Sequence, residues 1–285
     1  MANVRFGFHL SIKGGVLGAA TAAASKKYGV FQLFVSNPRS WNIRQSSADQ
    51  ALQFSRLNSS HNIAPFAHMP YLCNIASPKQ DILGKSIESG IGNISECNRL
   101  GIEYLVFHMG SHLGAGHANG KENIKKALSI ILDSTKKCEI LLENSAGYRN
   151  SMGSTIQEMA SVIEDIDSSR IGVCLDTCHL FAAGYDLRNE KAIESLEIEF
   201  DRLIGIKRLK LVHLNDSKYG LGRGLDRHWH IGKGYIGAGG FLNIFRSRLF
   251  RGGPFVMETP HENENSESAD LSAALGFYNT AKMSE

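Results

Sequence analysis

The stretch GVCLDTCHLFAAGYD, Gly172 to Asp186, carries the residues best suited to chemistry. An apolar run, Val173–Leu175, stops at Asp176, and His179 follows three residues later before an apolar, helix-compatible continuation. A carboxylate and an imidazole at the mouth of a buried strand serve packing badly, because neither is at ease out of water. They suit a metal ion well. The same pattern recurs along the chain, with His9, His68, His108, Glu143, Asp176, His213 and Glu258 each standing at the end of an apolar run, and Asp226 and His228 in a long polar segment.

Taken singly, each has an ordinary explanation. A lone strand-end His is usually a hydrogen-bonded loop or core residue, Glu143 in ENS suits the start of a helix, and Asp226 in LDRHWH suits a turn. Taken together they do not. Nearly every apolar run from the third to the eighth ends in His or a carboxylate and none in Lys. Converging acids without counter-ions would cost several kcal/mol each. Cations resolve the conflict, and mixed imidazole and carboxylate ligands suit zinc or manganese. His68, His108, His179, His213, His228, Glu143, Asp176, Asp226 and Glu258 are too many ligands for one ion and fit two or three. Three divalent ions carry about +6 against about −4 from the four acids, a surplus suited to an anionic substrate. Clustered metals of this kind clamp the attacking and leaving oxygens of a phosphodiester.

The elements that must bring these residues together follow from the apolar periodicity. Strand-like runs read Val4–Leu10, Phe31–Val35, Ile63–Ala67, Tyr104–Phe107, Ile140–Leu142, Ile171–Leu175, Leu209–Val212 and Phe255–Met257. Between and after them lie helix-compatible stretches: Gly15–Lys27, Ala48–Asn58, Ile82–Leu100, Glu122–Lys137, Ser154–Ile166, Glu190–Leu203, Gly239–Arg248 and Asp270–Lys282. Eight such βα units in 285 residues predict an α/β fold, a (β/α)8 barrel over 1–285 as a single domain. In that architecture the C-terminal strand ends share one face, so residues distant in sequence converge there. The segment from about Asp216 to Gly240, rich in Gly and His, is long for a βα loop and is expected to have a role.

Bulk properties set broad limits. Hydrophobic residues make up 42% and charged residues 21%, which places the chain among soluble globular proteins. Net charge of +3 permits a polyanionic partner without requiring one. The five scattered cysteines, with no CxxC, argue for reduced thiols and a cytoplasmic setting, and Cys178 is not expected to ligate. Neither a signal peptide nor an apolar run long enough for a membrane span stands out, so no membrane association is expected.

At the motifs FHLSIKGG (Phe8–Gly15), HMPYLCNIASP (His68–Pro78), FHMGSH (Phe107–His112), LLENSAG (Leu141–Gly147), LDTCHLFAAGYD (Leu175–Asp186), HLNDSK (His213–Lys218), DRHWHIGKGYIG (Asp226–Gly237) and METP (Met257–Pro260), the sequence resembles the endonuclease IV family of apurinic/apyrimidinic (AP) endonucleases over essentially its whole length. The resemblance implies a barrel with three zinc ions that cleaves double-stranded DNA 5′ to an abasic site. A metal-bound hydroxide would act as nucleophile, leaving a 3′-hydroxyl and a 5′-deoxyribose phosphate. It also implies a ligand set. One zinc would take His68, His108 and Glu143, a second Glu143, Asp176, His213 and Glu258, and a third His179, Asp226 and His228, with Glu143 central to catalysis. Arg39, Tyr71 and Leu72 match positions that enter the DNA helix at the lesion. His9, His112 and His230 are candidates for orienting ligands or meeting phosphate. The family is generally monomeric.

A metal-dependent sugar isomerase or epimerase of the same barrel architecture is the competing reading. It needs one ion, and Glu143, Asp176, His213 and Glu258 would suffice; His68 with His108, and His179, Asp226 and His228, discriminate against it. A DNA-binding module with structural zinc is disfavoured, because such sites are usually closed four-ligand cages often built with Cys.

Overall fold

The computed structural model describes residues 4–261 and 265–283. Eight strands alternate with helices: β1 Arg5–Leu10, β2 Val30–Phe34, β3 Ala64–His68, β4 Tyr104–His108, β5 Glu139–Glu143, β6 Ile171–Asp176, β7 Leu209–His213 and β10 Pro254–Met257. They close in the order β1-β10-β7-β6-β5-β4-β3-β2, every pair parallel. The predicted (β/α)8 barrel is therefore the observed fold. Helices α1 Gly15–Ser25, α2 Ala48–His61, α3 Gln80–Leu100, α4 His117–Ser134, α5 Ile156–Ile166, α7 Glu190–Leu203, α8 Gly237–Arg246 and α9 Ser266–Met283 supply the crossovers and the closing layer. Local signals start several of them. Ser47 and Gln50 form a reciprocal capping box at α2, and Thr155 and Asn189 cap α5 and α7.

Two features sharpen the sequence reading. Strands β3 to β7 each extend one residue beyond the predicted apolar run, so His68, His108, Glu143, Asp176 and His213 are the last residues of strands rather than the first of loops. A short helix, α6 Thr177–Ala183, follows β6 directly, capped by Asp176, whose Oδ1 accepts the His179 N–H at 2.9 Å. The long segment after β7 is not irregular throughout. It contains a small antiparallel pair, β8 Asp216–Ser217 with β9 His228–Trp229, in which Ser217 faces His228. That pairing folds the polar loop back over the barrel mouth.

Alternation along the strands divides the barrel interior. Val30, Phe66, Val106, Leu141, Cys174, Leu211 and Val256 pack into a separate buried cluster, one residue from each strand but β1. At β1 the partner of Val256 is Gly7, where an added Cβ would lie 1.6 Å from the Val30 carbonyl oxygen, so only glycine fits. Two residues further along each strand, the next inward position carries His9, Gln32, His68, His108, Glu143, Asp176, His213 and Glu258. An apolar floor thus lies beneath a polar tier. The larger core, between strands and outer helices, includes Phe8, Phe31, Phe54, Phe107, Phe200, Phe241 and Phe250, all essentially fully buried. Among the described residues no helix is long and apolar enough to cross a membrane, and all five cysteines are free thiols.

Candidate metal centre

Glu143, at the end of β5, is the hub. Its Oε2 lies 3.2 Å from His68 Nε2 and 3.3 Å from His108 Nδ1. Its Oε1 lies 2.9 Å from His213 Nδ1 and 3.6 Å from His179 Nδ1. Donor atoms within 4.8 Å of one another group His68 with His108 and Glu143, then Glu143 with Asp176 and His213, then His179 with Asp226 and His228. All nine residues singled out from the sequence meet at the barrel mouth. Glu258, just beyond β10, completes the ring more loosely, its Oε2 3.9 Å from His213 Nδ1 and 4.0 Å from His228 Nδ1. A further group joins Cys178 to Asp176 and His228, although burial pushes the Cys178 thiol well above its ordinary value and opposes the thiolate that ligation requires.

The orientation of the imidazoles tests whether a metal fits. His68 Nδ1 donates to the Met69 carbonyl at 2.8 Å, His179 Nδ1 to the Asn144 carbonyl at 2.9 Å, and His228 Nδ1 to the Glu258 carbonyl at 3.2 Å. A carbonyl only accepts, so in each neutral ring the lone pair sits on Nε2. Those Nε2 atoms face carboxylates: Glu143 for His68, Asp226 at 3.2 Å for His179 and Asp176 at 3.3 Å for His228. The Nε2 atoms of His179 and His228 are buried and lack hydrogen-bond alignment with any partner. Lone pairs facing carboxylates repel unless a cation stands between them, and outward-donating imidazoles are the usual support of metal ligands. The residues fit divalent metal.

Without such ions protons take the cations' place. Burial lowers the imidazole pKa of His179, yet the Asp176 and Asp226 carboxylates outweigh it and raise it to about 10. His228 rises to about 9 on the same balance, chiefly through Asp176. Burial favours the neutral acid in Glu143 and Asp226, but surrounding imidazoles hold Glu143 well below the usual carboxylate range and Asp226 at about 2. His108, where burial dominates, is lowered instead.

Several residues that shape the centre were not singled out from the sequence. Asn144 clamps Asp176 through both backbone groups, donating to its carbonyl at 3.2 Å and accepting its N–H at 2.7 Å. Asn215 donates to Asp176 Oδ2 at 2.7 Å and accepts the Glu258 N–H at 2.8 Å. Asp216 accepts the N–H groups of Ser217, Gly234, Ile236 and Gly237 at 2.7 to 3.2 Å, anchoring the loop after β9. Gln32 bridges His9, Glu258 and His213. Gln32 had a readable signal, an amide inside the apolar run FQLFV; Asn144, Asn215 and Asp216 sit in loops where such residues are common.

The remaining expected residues separate by position. His9, penultimate in β1, lies 3.0 Å from Glu258 Oε1. His112 closes the loop after β4 instead, its Nδ1 accepting from the Gly114 and Gly116 N–H groups. His230 pairs with Asp270 of α9 at 2.9 Å, and Asp270 also accepts the Ile231 N–H, so the bond ties down the segment that carries His228. Arg39 is exposed on the loop after β2. Tyr71, 68% exposed, rests edge-on against Phe34, with Leu72 beside it. Tyr71, Leu72, Phe107, Met109 and Tyr148 line a cavity of about 260 Å³ that opens onto His108, His179 and Asp226.

Comparison with known proteins supplies the family. Residues 20–280 match a family model described as a xylose isomerase-like TIM barrel. A protein of Methanoculleus marisnigri named probable endonuclease 4 is 40% identical over 94% of this chain and 96% of its own. The crystal structure of endonuclease IV from Thermus thermophilus superposes with a TM-score of 0.85 at 32% identity, covering 97% of this chain and 99% of that one. A D-tagatose 3-epimerase-like protein, at 19% identity and a TM-score of 0.75 over 97% of this chain and 99% of its own, shares the fold alone. With relatives this similar along nearly its whole length, the chain belongs to the endonuclease IV family of enzymes.

Proposed function

We propose that this enzyme hydrolyses the phosphodiester on the 5′ side of an AP site in double-stranded DNA, leaving a 3′-hydroxyl and a 5′-deoxyribose phosphate. It does so as a cytoplasmic monomer with three zinc ions. His68, His108 and Glu143 would hold one ion, Glu143, Asp176, His213 and Glu258 a second, and His179, Asp226 and His228 a third. When bound, such ions supply a nucleophile at neutral pH and offset charge on the reacting phosphate. The observation that carries the reading is the convergence of three donor groups, two of them sharing Glu143, with imidazole lone pairs turned inward.

The chain's own residues do the rest. Glu143, 1% exposed and held ionised by imidazoles, keeps the two inner groups at fixed separation and can orient a nucleophile lying between them. Asp176 links the second group to the third, because one oxygen caps α6 at His179 while the other faces His228. Tyr71 and Leu72, both exposed, would fill the gap left by a missing base, and Arg39 would meet phosphate or stack. An abasic nucleotide has already lost its stacking, so swinging it into the cavity beside His108 costs less than flipping an intact one. Beneath the polar tier lies the buried apolar floor of Val30, Phe66, Val106, Leu141, Cys174, Leu211 and Val256.

The sugar epimerase reading accounts for Glu143, Asp176, His213 and Glu258 but leaves His68 with His108, and the group of His179, Asp226 and His228, without a task. Two measurements separate the readings. Elemental analysis of the purified protein should find close to three zinc ions per chain, against one for an epimerase. A duplex with a single tetrahydrofuran abasic analogue should be nicked 5′ to it in a metal-dependent manner. An intact duplex after incubation with zinc-replete protein would refute the assignment.

A further inference from the structure

Among the eight positions of the polar tier, one is neither imidazole nor carboxylate. Gln32 lies in β2 with no exposed surface. A buried primary amide carries two donor hydrogens and an acceptor oxygen, and its hydrogen bonds have to be made inside the protein. Its Nε2 lies 2.7 Å from Glu258 Oε1 and 2.9 Å from His9 Nδ1, and its Oε1 lies 2.9 Å from His213 Nε2. The Glu258 carboxylate only accepts, so the amide must turn its nitrogen towards Glu258 and its oxygen towards His213. An amide oxygen also only accepts. In the neutral ring, as a metal ligand must be, His213 therefore carries its proton on Nε2 and leaves the lone pair on Nδ1. That Nδ1 is the atom 2.9 Å from Glu143 Oε1 and 3.9 Å from both Asp176 Oδ2 and Glu258 Oε2.

We propose that Gln32 is the positioning residue of the central metal position: a single amide selects Nδ1 of His213 as the donor atom and holds Glu258 in the same ring. His213 ends β7 and Glu258 follows β10, so the amide couples two ligands that no short stretch of sequence connects. His68, His179 and His228 have their outward nitrogens fixed by backbone carbonyls, which no side-chain substitution removes. His213 depends on a side chain. The inference rests on the reading that Glu143, Asp176, His213 and Glu258 hold a metal ion.

The test compares the full-length parent with Gln32→Glu and Gln32→Leu. Glutamate keeps an acceptor for His213 Nε2–H but loses the donor to Glu258 and places a like charge against it. Leucine removes both functions. Zinc affinity is measured by competition with a chromophoric chelator, and long-range ¹H–¹⁵N NMR of the histidine rings reads which nitrogen carries the proton. In Gln32→Leu, one of three zinc ions should bind about 10- to 100-fold more weakly, the range expected when a ligand's supporting partner is lost. One histidine should also change its tautomer signature. Gln32→Glu should weaken the same ion while keeping that signature. A folded Gln32→Leu protein with parental affinity for all three ions and unchanged ring signals would overturn the proposal. Should the leucine variant not fold, parental zinc affinity in Gln32→Glu would overturn it equally. A parent protein that binds no zinc would remove the metal reading itself, an outcome distinct from failure of the variants alone.

Discussion

Two neighbouring tiers of the barrel interior differ by two residues on each strand and by everything in their chemistry. Val30 and Gln32, Phe66 and His68, Val106 and His108, Leu141 and Glu143, Cys174 and Asp176, Leu211 and His213, Val256 and Glu258 are paired this way. Two residues advance a strand by about 6.6 Å, so the groups nearly touch along the barrel axis. The lower tier is buried and apolar, and its Phe66 stacks on the partly buried Tyr104 at 5.2 Å and 14°. The upper tier holds buried acids and imidazoles balanced against each other. One backbone thus serves stability and chemistry in separate layers, and the apolar floor lowers the local dielectric in which the charged tier works.

The sharpest way to test this division is to cut the floor. Phe66→Ala removes a large ring from the lower tier and should cost about 3–5 kcal/mol of unfolding free energy. Urea denaturation would read that loss, while zinc content and nicking rate of the folded protein stay close to the parent. Loss of zinc alongside stability would mean the tiers are not independent. The converse change, Glu143→Gln, keeps the shape but removes the shared charge. Nicking of a tetrahydrofuran duplex should fall more than about 100-fold, beyond the range of residues that only support ligands, and single-turnover rates provide the check.

Removing metal should reveal the protons that replace it. In chelator-stripped protein His179 and His228 are raised from 6.5 to about 10 and about 9. A raised folded-state pKa stabilises the fold fully below the unfolded value of 6.5, and that stabilisation disappears as pH climbs through 9 and 10. The melting temperature of stripped protein should therefore fall across that window. Zinc-loaded protein should lack that fall, because its imidazoles are neutral and ligated, and zinc binding should release protons and weaken as pH drops. The smallest expected effect is at the edge of the upper tier. Asp216→Asn replaces one acceptor oxygen with a donor facing backbone N–H groups, at a cost of about 1–3 kcal/mol. The loop bearing Asp226 and His228 should loosen, and elemental analysis should find about two zinc ions instead of three.

Much of this is legible in the sequence. Apolar runs ending in His or a carboxylate marked the strand ends, because burial tolerates such residues only where something compensates them. The barrel followed from eight alternating runs. Less legible was anything that depends on hydrogen-bond direction. Gln32 lay inside an apolar run that reads as core, and Asn144, Asn215 and Asp216 are residue types that loops favour for ordinary turn geometry. His9, His112 and His230 looked equivalent in sequence. The fold separates them, sending the first to Glu258, the second to its own loop and the third to Asp270 on α9.

The stretch from Asp176 to His179 shows where the boundary lies. Local sequence determined that a carboxylate ends a buried strand and an imidazole follows within one helical turn, since apolar periodicity and helix geometry are short-range properties. It did not determine that the two oxygens of Asp176 divide between capping α6 at His179 and facing Asn215 and His228. Nor did it determine which nitrogen each imidazole turns inward. Those choices belong to partners far away along the chain, as His213 and Gln32, 181 residues apart, make plain. Only barrel closure brings such groups within hydrogen-bond reach, because direction and distance between side chains on different strands are properties of the closed sheet.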